Sequence, residues 1–119
     1  FPYTTLFRSA NLPIVLVAFI VAALVRICVG SATVAMTMAA GIVAAMPEIA
    51  SLSPMYLACV VAAVAGGATV CSHFNDSGFW LVRSLIGLDE KTTLKTWTIM
   101  ETLVGGTGFI VALIISFFV

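Results

Sequence analysis

Charged positions punctuate this chain and leave long apolar intervals between them. No Asp, Glu, Lys or Arg lies between Ser9 and Val25, between Ile27 and Pro47, or from Thr102 to Val119, and from Ala50 to Asn75 only His73 could carry a charge. The pattern divides the chain into four hydrophobic pieces. The first runs from Leu12 to about Val29; its eighteen residues give a helix of roughly 27 Å, barely the thickness of a bilayer core. Pro13 suits its first turn, where a missing N–H costs nothing. Gly30-Ser31-Ala32-Thr33 interrupts the run, and a second piece from Val34 to about Met46, roughly 20 Å long, ends at Pro47-Glu48.

Residues 12–46 admit two readings. They form a span followed by an interfacial helix (or one over-long helix), or a re-entrant hairpin that turns at Gly30–Thr33 and leaves by the side it entered. Irregular backbone survives at membrane depth only when buried in protein or lining a water-filled cavity. A Gly-Ser-Ala-Thr tip fits that need, with a glycine for close approach and two hydroxyls. The third piece, residues 55–88, carries Ala62-Ala63 and Gly66-Gly67, small residues that let helices pack closely. It is broken by Ser72-His73-Phe74-Asn75-Asp76-Ser77-Gly78, where five of seven side chains are polar, before Phe79-Trp80-Leu81-Val82 resumes the apolar pattern. Gly87–Lys95 reads as an aqueous loop. Residues 96–119 form the last span, with Trp97 at its entrance and Gly105-Gly106-x-Gly108 as a close-packing face. The expected fold is an all-α membrane protein: a re-entrant helical hairpin, one broken transmembrane helix and one C-terminal transmembrane helix.

Composition agrees. Of 119 residues, 62% are hydrophobic and only 8% charged, and the mean hydropathy is +1.23. Soluble domains carry about 25% charged residues, and intrinsic disorder requires low hydrophobicity. Five basic residues balance five acidic ones with no basic run, so nucleic acid is not an expected partner. Arg83, Lys91 and Lys95 surround one loop, which the positive-inside rule places in the cytoplasm. Cys28, Cys59 and Cys71 show no metal-ligand spacing and are expected as small buried hydrophobes, and no cofactor is expected. Residues 1–9, Phe-Pro-Tyr-Thr-Thr-Leu-Phe-Arg-Ser, differ in style from the rest of the chain and resemble a translated sequencing adapter. On that reading residues 10–119 are the native part, a C-terminal transmembrane piece of a longer chain.

Ionisable and polar groups inside apolar segments are the candidates for chemistry, since each costs about 2.5–3.5 kcal/mol at a helix centre. Arg26 sits four residues before the first break. It either pairs with a carboxylate through its bidentate fork or snorkels to an interface. Ser31 and Thr33 offer hydroxyls, or simply cap a turn. His73 and Asp76, three residues apart, would share a face if helical, and both are chemically suited to carry protons. The plainer reading of Asn-Asp-Ser-Gly is a capping turn at a membrane boundary. Glu101, one turn past Trp97, is expected at the interface. Ser31 or Ser72 with His73 is the least kit for an intramembrane hydrolase, but no nucleophile elbow is present.

Ala23-Leu24-Val25-Arg26, Gly30-Ser31-Ala32-Thr33-Val34-Ala35, Ser72-His73-Phe74-Asn75-Asp76-Ser77-Gly78-Phe79-Trp80 and Lys95-Thr96-Trp97-Thr98-Ile99-Met100-Glu101-Thr102 occur in that order. With these blocks the chain from Asn11 to Val119 resembles the C-terminal part of the gluconate/proton symporter family, the gluconate permeases. The resemblance implies secondary active transport of gluconate or a related sugar acid by proton symport across the bacterial inner membrane. It also implies an inverted-repeat ion-transporter-type fold completed by the remainder of the permease chain. The expected partners are a sugar-acid anion, protons and the lipid bilayer, with a homo-oligomer left open. The expected substrate-binding residues are Arg26, Gly30, Ser31, Thr33, Asn75 and Ser77, and the proton-coupling residues are His73 and Asp76. A small accessory membrane subunit without transport activity is the alternative.

Overall fold

A computed structural model describes residues 13–119; the adapter-like residues 1–9 lie outside the described residues. All regular structure within them is helical. α1 spans Ile14–Val29 and stops where Gly30, at φ 81°, turns left-handed and returns its N–H to the Arg26 carbonyl. Only glycine adopts that conformation without steric penalty. Ser31 immediately caps α2, Ala32–Ala44, by accepting the Val34 N–H. A 3-10 turn, Pro47–Ser51, leads to α3, Pro54–Thr69, which Ser53 caps and Pro54 opens. An irregular stretch, residues 70–76, separates α3 from α4, Ser77–Ile86. Gly87, again left-handed at φ 79°, ends α4. The last helix, α5, runs without interruption over Glu90–Ser116.

Both expected interruptions are therefore present, at residues 30–31 and 70–76. α1 and α2 pack against each other across the first. Gly87–Lys95 is not one loop. Asp89 accepts the Thr92 N–H and starts α5 at Glu90, so Lys91 and Lys95 ride on its opening turns. An acidic cap in front of Lys-Thr-Thr is a helix start, which the density of charge disguised as solvent loop. α5 is wound as a π-helix over Leu94–Thr98 before continuing as α-helix from Ile99. It is the one described helix long and apolar enough to cross a membrane. α1 and α3, at 16 residues each, and α2, at 13, fall short.

α3 packs between α1 and α5, and α2 lies against α1 and α3. Close approach is secured by glycines at the crossings. A Cβ on Gly67 would stand under 3.0 Å from the Phe19 carbonyl oxygen, and one on Gly105 equally close to that of Gly66, nearer than real Cβ atoms come. Phe19 and Phe109 stack beside this crossing, with ring centroids 4.1 Å apart. The small residues of α3 thus serve the packing expected of them. The Gly105-Gly106-x-Gly108 face is corrected: only Gly105 meets α3, while Gly106 and Gly108 face open space. Positions 105, 109, 112 and 116 are the buried ones along this part of α5. The opposite faces carry exposed Leu103, Val104, Ile110 and Val111. A helix that is apolar all round suits lipid or further protein, not water. Cysteine burial also differs from expectation: Cys59 is buried, Cys71 half-buried and Cys28 exposed.

Candidate functional site

The two interruptions meet. A Cβ on Gly30 would clash with the Asn75 carbonyl oxygen, under 3.0 Å away, so the tip of the α1–α2 turn is seated directly on the backbone of the second break. A helix C-terminus leaves its last carbonyls without intrahelical partners. Here the second break supplies them: Asn75 Nδ2 donates to the carbonyls of Ile27, at 2.9 Å, and Cys28, at 3.4 Å. His73 Nε2 lies 3.2 Å from the Ile27 carbonyl oxygen. A carbonyl can only accept, so Nε2 is the donor in that contact.

Arg26 ties the junction together from α1. Its residue is 3% exposed. Nη1 donates to the Gly30 carbonyl at 2.5 Å and Nη2 to Asp76 Oδ2 at 2.6 Å. The snorkelling reading of Arg26 is thereby set aside: its guanidinium points into the protein. Asp76 is also the cap of α4, with Oδ1 accepting the Gly78 N–H at 3.1 Å. Its Oδ2 accepts the hydroxyl of Ser72 as well. His73 and Asp76 do not share a helical face. They occupy a turn closed by the Asp76 N–H to the His73 carbonyl at 2.9 Å, because Asp76 caps a new helix instead of extending the old one.

Of the sequence-derived substrate set, Arg26, Gly30 and Asn75 converge here with His73 and Asp76. Ser31 and Thr33 stand one and three residues beyond the tip: the Ser31 hydroxyl is engaged in capping α2, and Thr33 is exposed in its first turn. Ser77 is exposed at the start of α4.

The support of the second break comes from α5, from residues that the sequence reading did not assign to the site. Ser72 is fully buried. Trp97 Nε1 donates to its hydroxyl at 2.9 Å, and the Thr98 hydroxyl donates to its carbonyl. The Thr102 hydroxyl accepts the Cys71 N–H at 3.1 Å. Cys71 itself sits at φ 55°, a left-handed conformation costly for a residue with a Cβ and typical of over-determined sites. Trp97, expected at the entrance of the last span, therefore lies inside α5 and holds the break. Glu101, expected at the interface, is half-buried and interacts electrostatically with both Arg26 and Asp76. The signal for these residues was the cluster Trp97, Thr98, Glu101 and Thr102 at helical spacing in an otherwise apolar span. The serine–histidine pairing that hydrolysis needs is not made: Ser72 serves Asp76, and His73 serves Ile27.

Residues 3–118 match the family model of the GntP family permeases. The chain is 48% identical over 104 residues to the low-affinity gluconate transporter of Escherichia coli (strain K12), covering 87% of this chain and 23% of that protein. It is 42% identical over 110 residues to the gluconate permease of Bacillus subtilis (strain 168), with 91% and 24% covered. To the Gnt-II system L-idonate transporter of Escherichia coli (strain K12) it is 40% identical over 111 residues, with 93% and 25% covered. The chain spans about a quarter of the length of these curated relatives. No solved structure matches it. The chain belongs to the GntP permease family, a family of membrane transporters.

Proposed function

We propose that this chain forms the substrate-binding portion of a permease that imports gluconate or a related sugar acid with protons across the bacterial inner membrane. The observation that carries this reading is the contact between the two interruptions. Paired helix breaks bearing ionisable residues are the structural sign of a secondary-transporter site, and here the Gly30 tip rests on Asn75 while Arg26 reaches Asp76. Arg26 supplies the positive charge for a carboxylate. Gly30 and Asn75 shape the crossing, and Ser31, Thr33 and Ser77, at the starts of α2 and α4, offer hydroxyls to a polyol chain. His73 and Asp76 carry the proton. In this reading residues 12–46 form the re-entrant hairpin, 55–88 the broken helix and 96–119 the last span, with lipid or further permease helices on the exposed apolar faces. The names of the relatives, two for gluconate and one for L-idonate, favour a sugar-acid substrate.

The test uses membrane vesicles containing the full permease that carries this segment. An inward proton gradient is expected to drive gluconate accumulation, which a protonophore abolishes. His73→Asn and Asn75→Ala are each expected to lower the initial uptake rate about tenfold at equal membrane abundance. Uptake indifferent to the gradient, or unchanged in both variants, would refute the reading.

A further inference from the structure

A guanidinium has a side-on fork, the parallel Nε–H and Nη2–H, whose spacing matches the two oxygens of a carboxylate. In Arg26 this fork is half used. Nη2 donates to Asp76 Oδ2 at 2.6 Å, while Nε is buried and has no hydrogen-bond partner among the described residues. Nη1 is already committed to the Gly30 carbonyl. Asp76 does not take the second tooth because its own oxygens are engaged elsewhere: Oδ2 also accepts from Ser72, and Oδ1 accepts the Gly78 N–H that caps α4. A charged donor left unmet in a group only 3% exposed is unfavourable in place, and a second carboxylate would satisfy it.

We propose that the Nε–Nη2 fork of Arg26 is the seat of the transported carboxylate, and that it opens only when Asp76 takes up a proton. Proton and carboxylate thus exchange on one guanidinium. The inference rests on the transport reading above. Its charge balance is simple. With Asp76 ionised and no anion, Arg26 and Asp76 sum to zero. With an O–H bond formed on Asp76 and the anion on the fork, the sum is again zero. Anion alone leaves the buried pair at −1, proton alone at +1, and a buried uncompensated charge is costly. The two neutral states dominate, so one proton travels with one carboxylate. Glu101 from α5, which interacts with both groups, has the same charge in both neutral states, and so does His73 from the same break, which hands the proton on to Asp76 without keeping it. α2 and α3 contribute no acidic or basic side chain to the junction.

The experiment reconstitutes the full permease in proteoliposomes and measures gluconate/gluconate exchange, gradient-driven accumulation and protons moved per gluconate. Wild type is expected to move one proton per gluconate, and its KM for gluconate to rise about tenfold per pH unit on the alkaline limb. Asp76→Asn, a neutral stand-in for the protonated acid, is expected to lose accumulation at least about tenfold while exchange loses its pH dependence. Arg26→Lys, which lacks the fork, is expected to raise KM at least about tenfold at every pH. An Asp76→Asn protein that still accumulates gluconate, or that exchanges it with the wild-type pH profile, overturns the proposal. Where that variant does not reach the membrane, the wild-type slope decides, and a slope of zero or of two protons overturns it. A wild-type permease that moves no gluconate, or moves it without regard to the gradient, fails the transport reading itself, whereas gradient-driven uptake with two protons per gluconate, or with an Asp76→Asn protein that still accumulates gluconate, fails the exchange alone.

Discussion

The chain makes the same kind of turn twice, with opposite surroundings. At Gly30 and at Gly87 a helix ends on a left-handed glycine that returns its N–H four residues back, to Arg26 and to Arg83 respectively. Each is followed closely by a side-chain cap for the next helix, Ser31 in one case and Asp89 in the other. Gly87 has nothing within 4 Å of the position a Cβ would occupy, whereas Gly30 presses on Asn75. Two capping aspartates show the same contrast. Asp76 is paired with buried Arg26, and Asp89 holds only the first turn of α5. Local sequence chemistry therefore makes a turn in both places, and a site arises only where a second break lies against the first.

Three experiments can break that contrast or sharpen it. The largest effect is expected from Arg26→Met, which leaves the half-buried Asp76 carboxylate without its countercharge; breaking a buried pair costs about 3–5 kcal/mol. The loss is read as a lowered unfolding midpoint of the full permease in detergent. Adding Asp76→Asn, which keeps an acceptor for the α4 cap, is expected to recover most of it. A double variant as unstable as the single one would show that the arginine contributes through packing alone.

Gly30→Ala comes next. Left-handed backbone costs a residue with a Cβ about 1–2 kcal/mol, and overpacking adds about 1–3 kcal/mol. With the Cβ driven against the Asn75 backbone oxygen, the total is expected to reach about 3 kcal/mol. Gly87→Ala carries only the backbone cost, about 1–2 kcal/mol. Equal losses in the same unfolding measurement would mean that the contact with Asn75 is not maintained in the folded permease.

The smallest effect concerns acid. Hydrogen bonds from Thr92, side chain and backbone, hold the Asp89 carboxyl below the usual carboxylate range. A depressed carboxylate contributes stability that is full above its unfolded pKa, about 3.9, and is lost as pH falls through the folded value. Amide exchange in the first turn of α5 is expected to quicken only at pH below about 4, and Asp89→Asn to remove that dependence. Protection that is flat through this range in the wild type would show that the carboxylate does not hold the turn.

The features legible in the sequence divide in the same way. Gly30-Ser31 and the run from Ser72 to Gly78 announce their breaks through glycine, capping hydroxyls and polar clustering, all local properties. The pairing of Arg26 with Asp76 spans fifty positions, and no local pattern distinguishes it from a snorkelling arginine beside a capping aspartate. Cys71 turns left-handed because Thr102 receives its N–H from another helix, so its own residue type points the wrong way. Lys91 and Lys95 carry a solvent signal into the head of α5, where the charge rides on the opening turns of a helix and does not mark a loop.

The register of α5 shifts once along its length. Inward positions advance through Thr98, Thr102, Gly105, Phe109, Ala112 and Ser116 by fours and threes, but the step from Thr93 to Thr98 is five. The wide turn over Leu94–Thr98 absorbs that extra residue. The helix is thus two rulers joined with a fixed offset, one aligned to Asp89 and the α4 junction, the other to Ser72 and the core. Removing one residue within the wide turn would leave a step of four that plain α-helix spans with both faces still aligned, whereas removing one from the regular turns that follow would rotate everything beyond it by about 100° against the lower ruler.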